Sequence, residues 1–87
     1  MRTILKKVFK RYFHNHLVRT RNELAWTQAQ MAEVLAMAER SYIELDHGKS
    51  CCNGDTLMLY LSYCCDDPQE FINGFKERFE TEAKVKP

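Results

Sequence analysis

The stretch "TQAQMAEVLAMAERSYIELDHGK", residues 27–49, reads as two short helices joined by a tight turn. Thr27 is an N-cap residue, and Gln30, three residues on, can reach back to it and complete a capping box. Trp26 and Met31 flank the cap at the two positions of a hydrophobic staple. The first helix runs over 28–35 with Met31, Ala32 and Leu35 turned inward. After Ala36-Met37-Ala38 a second helix runs from Glu39 to about His47. Tyr42 and Leu45 face in, and Gly48 stands where a left-handed residue is wanted to end the helix. The outward side of this second helix carries two carboxylates, Glu39 and Glu44.

Outside this pair the chain also reads as helical. Its 87 residues make one domain, 1–87, with a single small core, and only 3 Gly and 2 Pro argue against a turn-rich sheet protein. No strict apolar–polar alternation runs long enough for a strand. Over residues 3–24, Ile4, Leu5, Val8, Phe9, Tyr12, Phe13 and Leu17 form one stripe, with Leu24 further on, so one long helix or two shorter ones fit. Asn53-Gly54-Asp55 is a cap before an apolar helix at 56–64. Asp67, Pro68 and Glu70 are an N-cap, a first-turn proline and an N3 acid. The helix they start places Phe71, Ile72, Phe75 and Phe79 on one stripe and is expected to fray towards Pro87. The expectation is an all-α domain of five helices.

Charge is distributed unevenly. Arg2, Lys6, Lys7, Lys10, Arg11, Arg19 and Arg21 precede the first acid, Glu23, so residues 1–22 carry +7 and the remainder −6 on a chain of net +1. A cationic end on a near-neutral protein suits an anionic partner, while a solvated helix face paired with acids elsewhere is the plainer account. The longest apolar run, 57–61, is too short to span a bilayer, and no apolar segment follows the basic N-terminus; the expectation is a cytoplasmic protein without a membrane span. Cys51-Cys52 and Cys64-Cys65 are adjacent pairs, not a CxxC spacing. A helix at 56–64 would hold them on the order of 18 Å apart, which excludes a shared four-cysteine zinc site. Cys64 then reads as a small core residue and the others as loop or cap thiols. His14-Asn15-His16 is not a metal motif, the cysteines have no local base, and no Gly-rich loop is present. Nothing points to catalysis or to a cofactor.

The segments "LVRTRNELAWTQAQMAEVL", "IELDHGK" and "DTLMLYLSYCCDDPQEFI" resemble the Cro-like (XRE) helix-turn-helix domain of bacterial and phage transcription regulators. The resemblance covers residues 16–72 and leaves extensions at 1–15 and 73–87. It implies a lambda-repressor-like fold, here with an extended N-terminal helix and a long C-terminal one, that binds double-stranded DNA to regulate transcription. Ala36 occupies a turn position usually taken by Gly, where a left-handed backbone strains a residue with a Cβ by about 1–2 kcal/mol. Ser50-Cys51-Cys52 stands where the family tends to have basic residues and a Pro.

What the resemblance implies for the site is specific. Gln28, at a helix N-terminus, would hydrogen-bond a phosphate. Ala38, Glu39, Arg40, Ile43, Glu44 and His47 would enter the major groove, Arg40 on guanine O6 and N7 and Ile43 against a thymine methyl. Lys49 would sit on a phosphate. Glu39 and Glu44 can accept from cytosine N4. Acids in a groove weaken general attraction to phosphate, which the cationic N-terminal segment would restore if it lies near the duplex. Competing readings are a protein-interaction module, antitoxin-like, whose acidic face takes a basic partner, and a membrane-surface role for residues 2–13. The stripes at 3–13 and 71–79 are expected to cover each other within the chain and to leave an edge for a homodimer.

Overall fold

Five α-helices account for most of residues 2–83, the part of the chain described by the computed structural model: α1 (Arg2–Leu24), α2 (Gln28–Val34), α3 (Glu39–Asp46), α4 (Gly54–Tyr63) and α5 (Pro68–Ala83). The expected all-helical class holds, and the expected fraying towards Pro87 lies outside the described residues. Asn15 and His16 do not interrupt α1, which is a single helix of 23 residues, about 34 Å long at 1.5 Å per residue. No helix among the described residues is long and apolar enough to cross a membrane.

Side-chain caps set where α2, α4 and α5 start. Thr27 Oγ1 accepts from the Gln30 N–H at 3.1 Å, while Gln30 Oε1 accepts from the Thr27 N–H at 2.7 Å. Both halves of the capping box are therefore made. Asn53 caps α4 through the Thr56 N–H at 2.9 Å, and Asp67 accepts from the Glu70 N–H at 3.2 Å. Each satisfies a donor that the helix itself leaves free.

The first three helices end in one way. At the end of α1 the N–H groups of Ala25 and Trp26 bond back to the carbonyls of Asn22 and Arg21. Ala36 and Met37 bond back to Glu33 and Ala32 after α2, and Gly48 and Lys49 to Leu45 and Glu44 after α3. All three are Schellman motifs, which need a left-handed residue at the first position past the cap. Ala25 (φ 57°), Ala36 (φ 54°) and Gly48 (φ 76°) fill that position. Only one of the three is glycine, so two ends carry backbone strain.

The core takes residues from every helix. Phe13 and Leu17 of α1, Met31 and Ala32 of α2 with its C-cap Leu35, Tyr42 and Leu45 of α3, Tyr60 of α4 with its C-cap Cys64, and Phe71 of α5 form one buried cluster. Ala32 has the small side chain that a close crossing of α2 and α3 requires. Beneath them a polar knot is buried too: Tyr60 Oη lies 2.8 Å from Thr20 Oγ1 and 2.5 Å from His16 Nδ1.

Beyond the core, α1 packs along α5. The Phe9 and Phe75 rings meet edge-to-face at 5.7 Å, and Tyr12 meets Phe71 at 5.2 Å. The Tyr12 hydroxyl donates to the Phe71 carbonyl at 2.8 Å. It passes directly over Gly74, where an added Cβ would clash with the hydroxyl oxygen. The two extensions thus cover each other, but over narrower stripes than periodicity suggests. Ile4 is 43 % exposed and Ile72 49 %, because each sits at the margin of a stripe that one facing helix covers only in part.

Candidate nucleic-acid interface

The residues that orient α3 converge on Asp46, at the last turn of that helix. Its Oδ1 accepts from Arg21 Nε at 2.8 Å and from the Tyr42 hydroxyl at 2.9 Å. Its Oδ2 accepts from Arg21 Nη2 and from Gln28 Nε2, both at 3.2 Å. Arg21 also donates to the Trp26 carbonyl at 3.3 Å. One carboxylate therefore ties α1, the start of α2 and the end of α3 together. Burial pushes its pKa up, but the hydrogen bonds from Arg21, Gln28 and Tyr42 outweigh that and hold the carboxyl below its ordinary value. The Tyr42 hydroxyl is pushed far up by burial and by Asp46, so it stays a donor.

Held this way, α3 turns one face to solvent. Ala38, Glu39, Arg40, Glu44, His47 and Lys49 are exposed, as the sequence reading places them. Ile43 is half-buried, which leaves only part of its side chain for an outside contact. Glu39, Arg40 and Glu44 have no ion-pair partner among the described residues. The side-chain amide of Gln28, assigned to a phosphate by the sequence reading, donates to Asp46 inside the fold. Positioning of the helix pair is the task the geometry gives it.

The basic half of the chain is sorted by the fold. Arg21 is clamped on Asp46, Arg11 pairs with Glu82 of α5, and Arg19 lies 3.8 Å from Glu23. Lys10 takes the other direction, its Nζ donating to the Lys49 carbonyl at 3.4 Å. One turn on, His14 Nε2 donates to the Asp46 carbonyl at 2.9 Å. The face of α1 that carries Lys10 and His14 therefore runs past the C-terminal end of α3. An open groove on the far side, between α1 and α5, is lined by Tyr12, Arg19, Glu70, Asn73 and Arg78 and shares no residue with the α3 face.

Sequence reasoning missed the Asp46 clamp. Arg21 counted there only as one of seven cations ahead of the first acid, with no partner named, and Asp46 stood unremarked between the inward Leu45 and the outward His47. The missed signal is its place one turn after Tyr42, the spacing at which a hydroxyl and a carboxylate meet on a helix. All four cysteines are free thiols, and burial raises Cys52 to about 12 and Cys64 to about 11. Those two stay protonated at neutral pH and are poor nucleophiles.

Comparison with protein-family models, with curated proteins and with solved structures finds no match to this chain.

Proposed function

We propose that this chain is a sequence-specific DNA-binding transcription regulator of the Cro-like (XRE) type. In this reading α2 and α3 form a helix-turn-helix within a lambda-repressor-like arrangement, and α3 lies in the major groove of double-stranded DNA. The observation that carries it is the exposed α3 face, with Arg40 free and the helix locked at its far end by Asp46. A reading helix needs both: side chains free to meet base edges and a backbone that does not swivel. Arg40 is the residue suited to guanine, Ile43 offers its exposed part to a thymine methyl, and Glu39 and Glu44 accept from cytosine. Lys49 serves a phosphate.

Binding of the protein to its own upstream DNA across a salt series tests this. Arg40→Ala is expected to weaken specific binding by about 1–3 kcal/mol and to relax preference at one base pair. Lys49→Ala should weaken binding to every sequence and lower the salt slope by about one. If both variants bind as the wild type does, α3 does not read the groove.

A second reading is favoured by the unpaired Glu39 and Glu44: an antitoxin-like module whose acidic face takes a basic partner protein. Glu39→Gln with Glu44→Gln separates the two. Under the DNA reading these changes strengthen non-specific DNA binding, because repulsion from phosphate is removed; under the protein reading they abolish partner binding and leave DNA affinity negligible.

A further inference from the structure

Seven cations lie ahead of the first acid, and the fold commits three of them. Arg21 is held on Asp46, Arg11 on Glu82 and Arg19 beside Glu23. Arg2, Lys6, Lys7 and Lys10 have no carboxylate within ion-pair distance among the described residues, and all are exposed. Lys6, Lys10 and His14 follow each other at intervals of four, which on an α-helix puts them on one face about one turn apart. Two contacts fix where that face lies. His14 Nε2 is 2.9 Å from the Asp46 carbonyl, and Lys10 Nζ is 3.4 Å from the Lys49 carbonyl. Lys6 is then carried one turn, about 5.4 Å, beyond Lys10 along the same line.

We propose that Lys6, Lys10 and Lys49 form a phosphate-binding ledge that grips the backbone of the same duplex whose groove takes α3. The inference rests on the DNA reading of α3 and adds where the non-specific attraction comes from. Lys6, Lys10 and Lys49 have no carboxylate within ion-pair distance among the described residues, so their mutual repulsion is left for a polyanion to relieve. The Lys10 ammonium has three N–H donors and uses one on Lys49, leaving others for phosphate oxygens. The ledge belongs to the α3 side, so it offsets Glu39 and Glu44 without entering the groove and carries no sequence information. A plainer account is that Lys10 only caps the carbonyls at the end of α3, where a cation is favoured by the helix dipole.

The test measures binding of wild type, Lys10→Gln, Lys6→Gln/Lys10→Gln, Arg11→Gln and Arg40→Ala to duplex DNA across a salt series, and to vesicles containing anionic phospholipid. The expected result is that the slope of log K against log salt falls by about one for Lys10→Gln and by about two for the double variant. The loss should be alike on all sequences. Arg11→Gln should keep the wild-type slope, since Arg11 points to α5, and Lys10→Arg should restore the slope. If Lys10→Gln lowers the melting temperature but leaves the slope unchanged, the residue is a cap and the ledge is wrong. Lysine variants with the wild-type slope, beside an Arg40→Ala that loses base preference, would overturn the ledge and leave the DNA reading standing. The opposite pattern would keep the ledge and overturn the reading of α3. A wild type that binds vesicles and no duplex removes both.

Discussion

Alanine at the left-handed end of a helix is strained, and this chain uses it twice. At Ala25 and Ala36 the Cβ crowds the following carbonyl, at about 1–2 kcal/mol each, against which glycine loses about 0.5–1 kcal/mol more chain entropy on folding. Ala36→Gly and Ala25→Gly should therefore each stabilise the fold by roughly 0.5–1 kcal/mol, and the two should add because they lie at different helix ends. Urea denaturation decides it, and a loss of stability in both would mean that the turns are not left-handed. Gly48→Ala runs the other way, since the new Cβ would also sit 3.4 Å from the His14 ring.

The acid response is also set at single residues. Burial, with Arg19 nearby, lowers the pKa of His16 below its ordinary 6.5, so the unfolded chain takes up a proton that the folded chain resists. That penalty is absent above pH 6.5 and grows below it. Asp46 has the opposite ionisation: its lowered pKa contributes stability above the ordinary 3.8, lost as pH falls through the folded value. Asp46→Asn should cost about 1.5–3 kcal/mol at neutral pH by replacing charged hydrogen bonds with neutral ones. The difference from wild type should then shrink at acid pH, below 3.8. A difference that stays constant from pH 7 to pH 2 would show that the Asp46 charge contributes nothing.

At the scale of elements, the starts of helices are legible in sequence and their mutual placement is not. Thr27 with Gln30, Asn53 and Asp67 act on N–H groups three residues away, so their chemistry is written locally. Asp46 acts on side chains 18 and 25 residues away, and no spacing rule connects those segments before they fold. Ala25 is mute for another reason: alanine favours the helix interior and does not announce a left-handed turn as glycine does, and Ala36 stands out only through the family resemblance, at a position usually taken by Gly. Gly74 looks like a weak point of α5 until Tyr12, far away in sequence, is seen lying across it. This last contact makes a prediction. Gly74→Ala should destabilise the protein despite the better helix propensity of alanine, because the Tyr12 hydroxyl must leave the Phe71 carbonyl. In a Tyr12→Phe background the obstructing oxygen is gone and the nearest ring carbon is 3.4 Å away. There Gly74→Ala should stabilise by up to about 1 kcal/mol. A double-mutant cycle without this change of sign would show that α1 and α5 do not approach so closely.

For the whole molecule, the α1–α5 pair leaves apolar surface uncovered. Phe75 and Phe79 stack with ring centroids 5.9 Å apart, both only partly buried, while Ile4 and Ile72 are 43 % and 49 % exposed. A large side chain left in water forgoes about 1.5–3 kcal/mol of burial, and a domain of this size has little reserve. A second copy brought in across a two-fold axis covers the same surface on both chains at once. It also serves the proposed function, because two reading helices at a fixed spacing gain the affinity that one small module lacks. We therefore predict a homodimer at micromolar concentration, with the α5 edge at its centre. Light scattering after gel filtration should report twice the mass of the 10.3 kDa chain. Phe79→Asp should shift the protein towards monomer and weaken DNA binding while the helical signal is retained, since Phe79 lies outside the buried core cluster. A wild type that stays monomeric both free and on DNA would sink the dimer. The ledge of Lys6, Lys10 and Lys49 would then carry the phosphate attraction for a single reading helix.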